Sequence, residues 1–211
     1  HVKYAPQSSV RIIDTVILNG IECEPFITAD YRILIEHADE VIRGLKYFLK
    51  ASLANKGIIA IEDNKPRAIE LFNQLTADDP NISVVVCPEK YPQGSERHLI
   101  YAVTGRVVPE RALPSAVGVI VDNVATAMQA ALAVKDDLPC YERIVTVSGN
   151  AVHKPGNYRV RIGTLYSHLV EQGAQGLKND PARIISGGPM MGFAMFGLDV
   201  PTTKTTSALL C

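Results

Sequence analysis

Four times along the first two thirds of the chain, a short apolar, β-branched run gives way to a polar loop and then to apolar residues at helical spacing. Ile12 to Leu18 reads as a strand, and Tyr31 to Leu53 places Leu34, Ile35, Ala38, Val41, Ile42, Leu45, Phe48 and Leu49 on one helical face. Gly57 to Ile61 is the second strand, followed by a helix over Lys65 to Leu75 opened by Pro66. Ile82 to Val86 and Ser95 to Val103 form the third pair, and Val117 to Val121 with Val124 to Val134 the fourth. Strands that are apolar throughout, alternating with helices, predict a largely parallel sheet covered on both faces.

The pattern changes after Leu138-Pro139. Arg143 to Gly149 reads as a strand, Lys154-Pro155-Gly156-Asn157 as a turn, and Tyr158 to Ile162 alternates like a hairpin partner. Thr164 is placed to cap a short helix over Leu165 to Gln172, with Gly173 as its stop and Arg183 to Ser186 as a further strand. Hairpin, helix, then strand is the order of a β-grasp unit. The expected division is therefore residues 1–140 and 141–211. Met190, Met191, Phe193, Met195 and Phe196 are read as packing between the two, with an interaction surface as the alternative.

Composition narrows the function classes. In 211 residues, 47% are hydrophobic, which provides for a substantial core, and the net charge of −1 carries no basic stripe for nucleic acid. The cysteines Cys23, Cys87, Cys140 and Cys211 are scattered without a Cys-x-x-Cys pair, a spacing that favours reduced thiols over a metal or iron–sulfur site within this chain. No apolar run is long enough to span a membrane. The first residue is His1 and the last residues are Leu209-Leu210-Cys211, so the sequence is read as a fragment.

Open parallel sheets bind ligands beyond the carboxyl ends of their strands. The loops expected there are Asn19-Gly20-Ile21-Glu22-Cys23-Glu24-Pro25, Glu62-Asp63-Asn64-Lys65, Pro88 to Glu96, and Asp122-Asn123. Their carboxylates accept hydrogen bonds from ribose or ribityl hydroxyls, their amides both donate and accept, and Gly94 before a helix is expected to leave backbone N–H groups facing a phosphate. Asp122-Asn123 reads equally as a helix cap or a ligand contact. Neither G-x-G-x-x-G after the first strand nor a P-loop is present.

Four motifs carry a family resemblance. The Asn19–Pro25 loop, Tyr91-Pro92-Gln93-Gly94-Ser95-Glu96, Val121-Asp122-Asn123-Val124-Ala125-Thr126, and Val145 to Gly149 with Pro155-Gly156-Asn157-Tyr158 and Ile162-Gly163-Thr164 occur in the order seen in that family. Together they resemble the C component of the Rnf electron-transport complex, an ion-translocating ferredoxin:NAD oxidoreductase. That family is similar in turn to the NADH-binding flavoprotein of respiratory complex I. The resemblance implies a Rossmann-like domain followed by a soluble-ligand-binding β-grasp domain. It implies FMN and NAD(H) as cofactors, with 4Fe-4S clusters and a ferredoxin-like domain elsewhere in the full-length protein, and membrane subunits as partners. His1-Val2-Lys3-Tyr4 resembles the residues just after the family's flavin-cradling glycine loop, which implies weak FMN retention by this fragment alone. Carried over by position, the resemblance implies that Lys3, Asn19, Glu22, Gly94, Asn123 and Thr126 lie at or beside the flavin, that Glu24 and Glu96 help place the dinucleotide, and that Asp122 and Ser95 also belong to the cofactor-binding set. Ile21 and Ser95 depart from complex I, which has Asp and Glu there. Hydride transfer requires no general acid or base, so none is named. Relatives that pass electrons to cobalamin or to an amino-acid reductase are the alternative, followed by a non-catalytic binding module.

Overall fold

A computed structural model describes residues 3, 4 and 12–211; His1 and Val2 of the segment His1-Val2-Lys3-Tyr4 lie outside the described residues. Two compact units divide the chain. One comprises the described residues up to Cys23 together with Ile33–Leu138, and the other Glu24–Arg32 with Pro139–Cys211.

The first unit is built on four parallel strands in the order β3-β2-β1-β4: β1 Thr15–Gly20, β2 Lys56–Glu62, β3 Ile82–Cys87 and β4 Val119–Asn123. In β2 every residue after Lys56 is buried, as expected of a strand with both faces covered. The connecting helices are α1 Ala29–Glu36, α2 Ala38–Ser52, α3 Pro66–Thr76, α4 Glu96–Thr104 and α5 Val124–Asp136. The single helix expected over Tyr31 to Leu53 is thus two. Its break falls at His37, whose φ of −131° and ψ of 33° leave the helical region. The apolar phase continues through the break, so side-chain spacing alone does not reveal it.

The first strand starts at Thr15 rather than Ile12, because Asp14 and Thr15 both donate their N–H to the Gly118 carbonyl, and Arg106 holds Asp14 at 2.7 Å. Helices α2 and α5 pack closely. A Cβ on Gly44 would lie 2.0 Å from the Ala127 carbonyl oxygen, so only glycine allows this approach. Ile17, Ile58, Leu99, Ile100 and Val119 are among the residues that fill the core.

The second unit carries a mixed sheet in the order β6-β5-β9-β7-β8, from β5 Glu142–Ser148, β6 Gly156–Arg161, β7 Ile184–Ser186, β8 Phe193–Met195 and β9 Ala208–Leu210. β5 and β6 form the antiparallel hairpin, and β9 runs parallel to β5 at the sheet centre. A terminal strand returning parallel to the first hairpin strand is the β-grasp arrangement. The short helix α6 Tyr166–His168 passes into a wider turn over Leu169–Gly173. Its N-cap position is Leu165 instead of Thr164. Val145, Val147, Val160 and Leu169 pack under the hairpin, and Tyr166, Val170 and Leu209 form a neighbouring cluster. β8 is an edge strand, and Met190, Met191, Phe193 and Phe196 are exposed.

Among the described residues, no helix is long and apolar enough to cross a membrane. All four cysteines are free thiols.

Candidate nucleotide site

Parallel strands end together, so the register fixes one polar edge. Asn19 pairs with Ala60 on one side and with Asn123 on the other, and Glu62 pairs with Cys87. The loops after all four strands therefore share the carboxyl edge of the sheet.

Asn19 braces two of these loops. Its Oδ1 accepts the Ile21 N–H at 3.0 Å and its Nδ2 donates to the Gly94 carbonyl at 2.9 Å. Gly94 is needed for that approach, since a Cβ would meet the Ile21 carbonyl oxygen at 2.7 Å and the Cys23 Sγ at 3.2 Å. Cys23 packs against the core, as a small apolar residue would. The Gln93 and Ser95 N–H groups donate to the Lys90 and Pro92 carbonyls, so these two amides close turns instead of facing a phosphate.

At β4 the charged groups converge. Lys3 Nζ donates to the Val121 carbonyl, lies 3.3 Å from Asp122 Oδ1 and 3.6 Å from Glu96 Oε1, and is half-exposed. Tyr4 donates its hydroxyl to the other Asp122 oxygen and packs its ring 5.2 Å from that of Phe48. Burial, then the hydrogen bond to Asp122, pushes the Tyr4 phenol well above its ordinary value. Asp122 thus anchors Lys3 and Tyr4 together. Asn123 is the N-cap of α5, its side chain accepting the Ala125 N–H at 2.8 Å. Ser95 and Thr126 are exposed at the starts of α4 and α5, and Glu22 is half-buried in the first loop.

The second rim loop holds a buried carboxylate. Glu62 has its side chain 1% exposed, with Lys65 Nζ 3.6 Å from Oε2 and no hydrogen-bond partner for Oε1. Burial raises its pKa, partly offset by Lys65. The neighbouring Cys87 thiol is likewise pushed up by burial, then by Glu62 and Asp63.

Glu24 follows Cys23 in the first loop. It belongs to the second unit, where its two oxygens accept the Met190 and Met191 N–H groups at 2.9 and 2.8 Å. Thr28, in the same segment, is tied by its N–H to Thr146 Oγ1 at 3.1 Å and by its hydroxyl to Asn157.

Of the expected site residues, Lys3, Asn19, Gly94, Glu96, Asp122 and Asn123 therefore gather on the carboxyl edge of the sheet, Glu22, Ser95 and Thr126 flank them in sequence, and Glu24 binds backbone in the other unit. The anchoring of Tyr4 and the burial of Glu62 are additions that residue spacing does not supply. Each has a sequence signal: Tyr4 directly follows Lys3, and Glu62 is a carboxylate closing the apolar run Gly57 to Ile61.

Residues 1–132 match the Nuo51 FMN-binding domain family, and residues 144–194 match the SLBB domain. The chain belongs to the Nuo51 FMN-binding family. It is 44% identical to the C component of the proton-translocating ferredoxin:NAD(+) oxidoreductase complex of Clostridium ljungdahlii, over 100% of this chain and 45% of that protein. It is 43% identical to the C component of the Na(+)-translocating complex of Acetobacterium woodii, over 100% of this chain and 47% of that protein. The C component of a Haemophilus influenzae ion-translocating oxidoreductase complex is 42% identical over 97% of this chain and 30% of its own length. The resemblance to the Rnf C component carried by the motifs thus extends along the whole chain, which spans under half the length of these relatives. A chain of an NAD+-reducing NiFe hydrogenase shares the fold, with a TM-score of 0.74 at 19% identity, covering 95% of this chain and 40% of that one.

Proposed function

We propose that this chain is the nucleotide-site core of an electron-transfer subunit that moves electrons between NAD(H), FMN and iron–sulfur clusters in a membrane-associated, Rnf-type complex. The observation that carries this reading is the convergence of Lys3, Glu96 and Asp122 on the carboxyl edge of a parallel sheet, in a chain of the Nuo51 FMN-binding family. The donor set fits the flavin's ring and hydroxyl chain. Asp122, Glu96 and Glu22 offer carboxylate oxygens to ribityl or ribose hydroxyls, and Lys3 offers a cation to a ring carbonyl. When bound, FMN supplies the chemistry, accepting a hydride and releasing single electrons. The chain's own residues supply position and charge. Asp122 orients Lys3 and Tyr4, Asn19 fixes the first loop against the Gly94 loop, and Asn123 shapes the start of α5.

In this reading the 4Fe-4S clusters belong to other parts of the full-length protein, with a ferredoxin-like domain receiving the electrons. Its other partners are the membrane subunits of the complex, on whose cytoplasmic face it sits peripherally. NAD(H) binds through the same edge, with Ser95 and Glu96 beside it.

The test is flavin absorbance and anaerobic NADH titration of the purified full-length protein. FMN is expected to be retained and to bleach on NADH addition, and Lys3→Ala is expected to lower FMN occupancy with the fold intact by circular dichroism. A full-length protein that binds neither FMN nor NADH would overturn the proposal.

A further inference from the structure

The β-grasp unit contains a cavity of about 390 Å³, within the range of small-molecule sites. Its walls come from the segment bearing Glu24, the glycine loop between Ser186 and Phe193, and the stretch from Val200 to Ser207.

Five of the lining hydroxyls form a continuous chain. Ser186 Oγ is 2.7 Å from Tyr166 Oη, which is 3.4 Å from Thr206 Oγ1; Thr206 Oγ1 is 3.3 Å from Thr203 Oγ1, which is 3.0 Å from Thr205 Oγ1. Each hydroxyl carries one proton, so five hydroxyls joined by four links leave at least one O–H to donate outside the chain. Tyr166 is 2% and Thr206 6% exposed, so the middle of the chain is shielded from water. There an unmade hydrogen bond is costly.

Glu24 provides the complementary group. Each of its oxygens takes one backbone N–H and keeps a second lone pair. Among the described residues that line the cavity, none is Lys, Arg or His, so nothing there compensates a phosphate or carboxylate. Met191 and Phe193 also line the cavity while remaining 71% and 76% exposed, an apolar surface left to water at the same place.

We propose that this cavity binds an uncharged small molecule carrying an amide group on an apolar body. The amide N–H donates to Glu24, its carbonyl accepts the spare hydroxyl proton, and its body covers Met191 and Phe193. Such a ligand lacks the phosphates of FMN and NAD(H), and the site lies wholly within the second unit, so the inference stands apart from the nucleotide reading.

Benzamide is the probe, with benzoate and inorganic phosphate as anionic comparisons, each titrated into the isotope-labelled intact chain and followed by amide chemical shifts. Benzamide is expected to give saturable shifts confined to the glycine loop and to residues 203–207, with a Kd of order 1 mM. Benzoate is expected to bind at least about tenfold more weakly because Glu24 repels it, and phosphate to leave these resonances in place. Ser186→Ala and Thr205→Val remove the two ends of the hydroxyl chain. At least one of them is expected to weaken benzamide about fivefold or more, the worth of one hydrogen bond, with β5 and β6 resonances unchanged. Absence of saturable shifts up to about 20 mM, equal binding of benzoate, or full binding by both variants would each overturn the proposal.

Discussion

Removing the Asn19 side chain tests whether the first loop is held from within rather than by ligand. Asn19→Ala deletes two hydrogen bonds, one accepted from the Ile21 N–H at 3.0 Å and one donated to the Gly94 carbonyl at 2.9 Å. Each is worth about 1 kcal/mol net, and the partly buried Ile21 and Gly94 groups lose their partners, so the expected cost is about 2–3 kcal/mol. For a chain of this size that is a fall in Tm of about 4–12 °C. Hydrogen exchange gives the sharper readout. The Ile21 amide should exchange about fivefold faster or more in Asn19→Ala, the factor for one lost bond. Asn19→Asp separates the two contacts, because it keeps the acceptor for Ile21 while setting a carboxylate oxygen against the Gly94 carbonyl. It should therefore retain Ile21 protection yet lose at least as much stability as Asn19→Ala. Unchanged Ile21 exchange in Asn19→Ala, or wild-type stability in Asn19→Asp, would refute the brace.

Three other outcomes follow from single contacts. Gly44→Ala drives a methyl to 2.0 Å from the Ala127 carbonyl oxygen, where no rotamer relieves it, and should cost about 3 kcal/mol net despite better helix propensity, read as a Tm lower by about 6–12 °C. Glu62 has a folded pKa raised above its ordinary 4.5, so the folded state binds its proton more tightly and loses stability as pH rises through that range. Glu62→Gln should leave stability nearly unchanged below about pH 4 and raise it at pH 7 by about 1.4 kcal/mol for each tenfold in proton affinity, measured by urea unfolding at both pH values. Glu24→Ala strips the charge-assisted acceptor from Met190 and Met191, and should cost about 2 kcal/mol and speed exchange of those two amides.

The four βα pairs are legible in the residue pattern because buried parallel strands are apolar throughout and the loops between them are polar, a contrast that survives an error such as Ile12 for Thr15 at the start of β1. Strands of three residues carry a weaker signal, and of the three here only β7 is read, as Arg183 to Ser186. β9, Ala208–Leu210, reads as an apolar tail, yet it fills the centre of the second sheet through partners on β5 and β7 that lie far away in sequence. The edge strand β8 escapes notice for the same reason. At the site, convergence of the loops can be read from strand order alone. How each polar group is bonded cannot. Asn123, read equally as a cap or a ligand contact, caps α5, a bond that rests on backbone geometry rather than residue spacing.

The Asn19–Pro25 loop shows how far residue spacing carries. Glu22 and Glu24 stand two apart just after an apolar strand, a spacing that invites a shared ligand. The division into compact units falls between them, after Cys23. Glu24 has its oxygens committed to two amides 166 and 167 residues away in sequence, contacts no local pattern announces. Those bonds fix Glu24 on the glycine loop of the second unit, whereas Glu22 belongs to the unit that carries the parallel sheet. Of the pair, Glu22 is therefore the carboxylate to pursue as a nucleotide contact, and Glu24 the one that fixes the glycine loop. A Glu22→Gln variant should weaken NADH binding in the full-length protein without lowering the stability of the β-grasp unit, while Glu24→Gln should do the reverse. If both variants lost NADH affinity equally and neither lowered β-grasp stability, this division of labour within the loop would be wrong.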